Sequence, residues 1–297
     1  KMYALALTTM EQQKLVQGNI DRMEKQQKIT KVTVENGVGK QIDLDRVNVN
    51  LENMYTQLSN TNAAIEQQMN TIKYMLAIPL DTPIELTDTI GTDLLANQPV
   101  LINDFSGNVN VRLLESQKDL NALNKKFINA GYVPSLSLSA QAAYQGLQEN
   151  FNTYFKNNAD NKWFPYANFT VALSVPVFDG FEKRAKARQA EMDYRKSALS
   201  LENTKEALSL DYRNALNTYS NNKITVDRQK QNLQLADKVY RETTLKMKEG
   251  MATMSSLLQD ETSLSNAQAN YLTALYNFKE SELKIMSVNG EINRLIE

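Results

Sequence analysis

Apolar positions along the chain follow two distinct periods. Over residues 134–146, Leu136, Leu138, Ala140, Ala142 and Tyr144 alternate with Ser135, Ser137, Ser139, Gln141 and Gln145. Over 166–178, Phe169, Val171, Leu173, Val175 and Val177 alternate with Asn168, Thr170, Ala172 and Ser174. Strict alternation predicts two strands, each with one apolar and one polar face. Elsewhere the apolar residues recur in steps of three and four. Ala187, Ala190, Tyr194, Ala198, Leu201, Leu208, Tyr212, Ala215 and Tyr219 form one stripe, continued by Leu233, Ala236, Tyr240 and Met247. That is coiled-coil spacing, and roughly 60 residues at about 1.5 Å each make a rod of about 90 Å. Gly250 ends it. A following helix carries Leu257, Leu264, Tyr271, Leu275, Phe278 and Ile285 on its own stripe.

Helix is also expected over residues 1–28, from about Leu44 to Leu76, and over 109–130, where Gly131 and Pro134 supply a stop. Residues 29–43 break the pattern with Ile29, Thr30, Val32, Thr33 and Val34 before Asn36-Gly37-Val38-Gly39. The Asn36-Gly37 pair between Val32-Thr33-Val34 and Ile42 also fits a two-residue β-hairpin, which leaves this segment open between helix and strand. Residues 79–107, with Pro79, Pro83, Gly91, Pro99 and Gly107, read as a loop-rich connector.

A long helix, a glycine-centred break and a second long helix occur twice, at an offset of 213 positions (250 − 37). The offset pairs Gly37 with Gly250, Leu44 with Leu257 and Leu51 with Leu264. It also places the Ala77-Ile78-Pro79 stop beside Gly290. The fold class expected is therefore mainly α with one β-hairpin, as long antiparallel coiled-coil helix pairs in two structural repeats. The parts are a first helix pair at 1–78, a connector at 79–107, a helix at 108–131, the hairpin at 132–180 and a second helix pair at 181–297. The offset also puts a first-repeat hairpin ahead of Lys1, an expectation of roughly 100 preceding residues. Lys1-Met2-Tyr3 leads into a helical pattern rather than a cleavable apolar segment, as in a processed or trimmed chain.

Composition agrees with long polar-surfaced helices: 297 residues hold only six prolines and ten glycines. The net charge of −1 gives no basic field for gripping nucleic acid. The densest basic cluster, Lys183, Arg184, Lys186 and Arg188, reads as a solvated helix start. With no cysteine and no histidine, thiol chemistry and the commonest general base and metal ligand are excluded, so no cofactor or metal is expected. No nucleophile, base and orienter share a motif, which argues against an enzyme. No stretch approaches the roughly 20 apolar residues of a membrane helix, so a crossing of the bilayer would use strands.

The hairpin has the right make-up for that. Each strand has about 11–13 residues, near the span of a tilted transmembrane strand. Leu136, Leu138, Phe169, Val171, Leu173 and Val175 make a face suited to lipid, and the opposite face is polar but uncharged. Tyr132, Tyr144, Phe151, Tyr154, Phe155, Trp163, Phe164 and Tyr166 crowd the strand ends and loop, like an interfacial aromatic belt. The same alternation also suits a soluble hairpin, and the alanine-rich stripe an ordinary bundle core. A lone hairpin in lipid would leave its edges unsatisfied, so the membrane reading demands an oligomer.

The chain resembles the TolC-type outer-membrane efflux family. The resemblance rests on Tyr132-Val133-Pro134-Ser135-Leu136 entering the hairpin and Leu173-Ser174-Val175-Pro176-Val177-Phe178-Asp179-Gly180-Phe181 leaving it. Lys248-Glu249-Gly250, the run Ala267, Ala269, Tyr271, Ala274, Tyr276 and Phe278, and Gly290 add to it. It implies a homotrimer with a shared β-barrel in outer-membrane lipid and a long helical tunnel in the periplasm, docked to a periplasmic adaptor and an inner-membrane pump, doing no chemistry itself. It further implies adaptor contact at the tip turns, through Gly37, Val38, Gly39, Gly250, Met251 and Thr253, and gate candidates Asp43, Ser256, Gln259 and Asp260. Ala252, Ser256 and Gln259 stand where well-known members carry an Arg and two Asp residues, so the family's Arg–Asp gate link is not expected here. Asp260 and Glu261 read as solvated helix surface. The competing reading is a periplasmic helical adaptor or structural protein of a transport complex, which would carry one helical hairpin rather than two.

Overall fold

The computed structural model describes residues 1–88, 104–146 and 163–291. Seven elements follow in order: α1 (Met2–Glu35), α2 (Gln41–Met75), α3 (Val109–Ala130), β1 (Ser135–Gly146), β2 (Trp163–Ser174), α4 (Glu182–Lys248) and α5 (Met254–Asn289). The chain divides into two compact units, Lys1–Asn108 with Glu206–Glu297, and Val109–Lys205.

In the first unit, α1 and α2 pair, and both meet α5. Val16, Ile20 and Met23 of α1 pack with Val47, Leu51 and Met54 of α2, Tyr240 of α4, and Met254, Leu257 and Leu264 of α5. The expected stripes are the buried ones: Tyr212, Ala215, Tyr219 and Tyr240 on α4, and Leu257, Leu264, Leu275, Phe278 and Ile285 on α5. A buried Leu or Ile contributes about 1.5–3 kcal/mol, whereas a surface ion pair such as Lys238–Glu242 contributes about 0–1 kcal/mol. The stripe, not the charge lacing, holds the helices together. Outside that cluster, Tyr219 of α4 stacks on Phe278 of α5 with centroids 5.1 Å apart. Phe105 meets the Tyr212 ring edge-on at 6.2 Å.

Residues 29–35 do not break the helix. The β-branched run stays in α1, and the β-hairpin reading of Asn36-Gly37 is overturned. Adding a turn to an existing helix costs only a few tenths of a kcal/mol per β-branched residue, far less than nucleating one. The Thr30 and Thr33 hydroxyls also donate back to the Gln26 and Ile29 carbonyls, each at 2.8 Å.

The break comes at Gly37, in a helix-ending motif. Gly37 has φ 75°. Its N–H donates to Val34 O (2.9 Å) and that of Val38 to Thr33 O (3.1 Å). These are the paired bonds of a Schellman cap with glycine at the left-handed position. In the second repeat Gly250 has φ 72°. Its N–H donates to Met247 O (3.0 Å) and that of Met251 to Lys246 O (2.8 Å). Every donor and acceptor differs from its counterpart by 213. The repeat is therefore present in the backbone bonding as well as in the spacing of apolar residues.

In the second unit, β1 and β2 form one antiparallel pair, from Ser135↔Ser174 to Gly146↔Trp163. β2 lies three residues earlier than the alternation alone suggested and ends at Ser174, so Val175 falls just beyond it. Pro134 and Pro176 lie just beyond the Ser135↔Ser174 pair, and neither has an N–H to extend the ladder. Asn121 Nδ2 of α3 reaches Asp193 O of α4 at 3.5 Å, and Lys125 pairs with Glu191.

Candidate functional site

The residues expected to act lie in two places, the helical tip and the hairpin. At the tip, Lys40 starts α2 from an extended backbone (φ −98°, ψ 133°) without a side-chain cap. Thr253 does the same for α5 (φ −94°, ψ 157°), but its Oγ1 accepts from the Ser256 N–H at 3.2 Å. A threonine N-cap contributes about 1 kcal/mol that the first tip lacks. The two turns share one groove of about 890 Å³. Val38, Gly39 and Asp43 line it from the first turn, and Gly250, Ala252 and Thr253 from the second. Gln26 of α1 contacts Met247 Sδ of α4 at 4.0 Å across it.

The gate candidates are not all brought together. Asp43 sits in the first turn of α2, 3.7 Å from Arg46, and lines the groove. Ser256 is used in capping α5, with its Oγ 2.9 Å from Thr253 Oγ1. Gln259 and Asp260 lie further along α5 and do not line the groove. Met251 is exposed beside it.

Sequence reasoning misplaced Glu261. It is fully buried, and its Oε1 accepts from Arg22 Nη2 of α1 at 3.1 Å. Arg22 also donates to Asn19 Oδ1, whose amide donates to Gln268 Oε1 of α5 at 2.9 Å. The Arg22 guanidinium lies over the Tyr240 ring, 5.5 Å from its centroid. Burial pushes the Glu261 carboxyl above its ordinary value, and Arg22 opposes that shift. Glu261 Oε2 and Arg22 Nε find no hydrogen-bond partner among the described residues, so the cost of desolvation offsets much of the pair's attraction. The signal for it was present: Glu261 stands four residues after Leu257 and three before Leu264, on the buried stripe.

In the hairpin, the register joins the two apolar faces into one. Leu136 pairs with Leu173, Leu138 with Val171 and Ala140 with Phe169. The five large ones, Leu136, Leu138, Phe169, Val171 and Leu173, are each at least 60% exposed. Ser135, Ser137, Ser139 and Gln141 face Ser174, Ala172, Thr170 and Asn168 on the other side. Tyr144, Trp163, Phe164 and Tyr166 gather at the loop end. Phe151, Tyr154 and Phe155 lie outside the described residues.

Among the described residues no group of acidic side chains could hold a metal ion, and no helix is long and apolar enough to cross a membrane.

Solved structures similar to this chain include outer-membrane channels. The chain is similar to the outer membrane protein VceC of Vibrio cholerae at 16% identity, covering 97% of this chain and 68% of that one, with a TM-score of 0.73. It is similar to CusC at 15% identity, covering 97% and 66%, with a TM-score of 0.79. The open state of the Neisseria gonorrhoeae MtrE outer membrane channel matches at 16% identity, covering 97% and 64%, with a TM-score of 0.79. The chain thus spans about two thirds of the length of these proteins. No curated protein sequence matches it. The family model described as outer membrane efflux protein matches residues 111–291, which run from α3 through the hairpin to the end of α5. By that match the chain belongs to the outer membrane efflux protein family, whose members are transport conduits rather than enzymes.

Proposed function

We propose that this chain belongs to the outer-membrane channel of a tripartite efflux or secretion system, a passive conduit from periplasm to exterior. It assembles as a homotrimer, docks a periplasmic adaptor at its helical tip, and relies on an inner-membrane pump for energy. The observation that carries this reading is the β1–β2 register, which gathers Leu136, Leu138, Phe169, Val171 and Leu173 on one exposed, uncharged face. In water such a face is a liability; in lipid it is the outer surface of a barrel. Two strands leave both edges unpaired, and each unpaired backbone group in hydrocarbon costs several kcal/mol. Further strands from the whole protein and its copies must close the sheet.

The docking end is the tip, through Gly37, Val38, Gly39, Gly250, Met251 and Thr253. Asp43, Ser256, Gln259 and Asp260 lie on the helix starts that a gating motion would rearrange. An Arg–Asp link has no residues to form it at Ala252, Ser256 and Gln259.

The test is conductance of the complete protein in planar bilayers, with its adaptor supplied. Openings that appear or lengthen with the adaptor support a gated conduit. A protein that never conducts with its adaptor present contradicts it.

A further inference from the structure

We propose that the partner seated at the tip is acidic there: a helical hairpin whose end carries an excess of Asp and Glu around a few apolar side chains. This rests on the reading of the tip as the docking end and adds the chemistry that selects the partner.

The whole chain has a net charge of −1, but its tip is positive. Residues 25–46 hold five basic and three acidic side chains, and residues 241–256 three basic and two acidic, a net +3 over the two segments. Pairing sharpens the imbalance. Arg46 lies near Asp43, and Arg241 pairs with Asp237. Among the described residues, Lys25, Lys28, Lys31, Lys40, Lys246 and Lys248 enter no ion pair within the chain, and all six are exposed. Among the described residues, Glu35, Asp45 and Glu249 are the acids of the same segments outside any ion pair, and Asp45 accepts a hydrogen bond from Gln41 Nε2 at 2.9 Å.

Lys40 and Lys248 stand on the lining of the groove shared by the two turns, beside Ile29, Val38 and Ile42, each of the three more than half exposed. Apolar anchors within a charged rim suit a helix laid into a groove. The rim then chooses the partner by sign and speeds its arrival.

The experiment uses the full-length protein in nanodiscs and three synthetic helical hairpins of equal length and equal apolar face. Their tips are acidic, neutral or basic. Association rates are read at low and high salt. The acidic hairpin should associate at least about tenfold faster than the neutral one at low salt, with the gap closing at high salt. The basic hairpin should be slowest. Lys28→Glu, Lys31→Glu and Lys248→Glu together should reverse the order, and the matching Lys→Gln set should flatten it. Equal rates, or a preference for the basic hairpin, overturn the charge proposal and leave tip docking standing.

Location is read separately. The chain has no native cysteine, so Val38→Cys and Met251→Cys offer single crosslinking points. Crosslinks from both to a bound hairpin support the site. Binding without any crosslink places the hairpin elsewhere and removes the docking reading together with the charge proposal.

Discussion

Gly37 and Gly250 hold the same place in two copies of one turn, with φ 75° and 72° and hydrogen bonds that superimpose after a shift of 213 residues. A Cβ at either would meet nothing within 4 Å among the described residues. Valine there should therefore cost only its backbone strain, about 1–2 kcal/mol, and leave the fold intact. We expect Gly250→Val to fold, by circular dichroism, yet to bind the adaptor more weakly, because the turn must distort to relieve that strain. Unchanged binding would remove Gly250 from the docking site.

Gly290 closes the second repeat with φ 74°, and Ala77 closes the first with φ 54°. The two positions invite opposite substitutions. A Cβ at Gly290 would overlap the Gly107 carbonyl, where Asn108 Nδ2 also donates to Val288 O at 3.1 Å. Gly290→Ala should cost about 3 kcal/mol from strain and clash together. Ala77→Gly should be neutral or stabilising by up to about 1 kcal/mol. Denaturant midpoints of the two variants should move apart.

Glu261 should make stability depend on pH. Its carboxyl is raised in the folded chain by burial. Between the ordinary value near 4.5 and the raised one, the folded state binds more protons than the unfolded state. The contribution of this group is therefore greatest at or below the lower limit and declines as pH rises through the window. Tm measured against pH should fall across it in the native protein, relative to Glu261→Gln. Parallel curves would contradict the assignment.

The hairpin faces should differ in tolerance. Leu138 and Val171 pair on the apolar face, Ser139 and Thr170 on the polar one. Lysine at Leu138 or Val171 should cost about 2–4 kcal/mol at mid-bilayer depth and deplete the protein from outer-membrane fractions. Lysine at Ser139 or Thr170 should be tolerated. Equal losses on both faces would mean that neither faces lipid.

Much of this architecture could be read from residue spacing. The 213-residue offset survives because both Gly37 and Gly250 must adopt a left-handed backbone that other residues resist, and because Leu44/Leu257 and Leu51/Leu264 occupy equivalent stripe positions. Three features were harder. The end of α1 was hidden by β-branched residues whose propensity loss is small beside helix propagation. The start of β2 lay in Trp163-Phe164-Pro165-Tyr166, where aromatics and a proline mask the alternation. Glu261 was judged by its charge although its stripe position marked it as buried, and its partner Arg22 lies 239 residues away, beyond any local pattern.

A hairpin with one lipid-suited face must join others to close a barrel. The most direct measurement is the mass of the full-length protein extracted from outer membrane into detergent, by light scattering corrected for bound detergent. A shared barrel of this kind should weigh three copies. A monomer that stays soluble without detergent would contradict it.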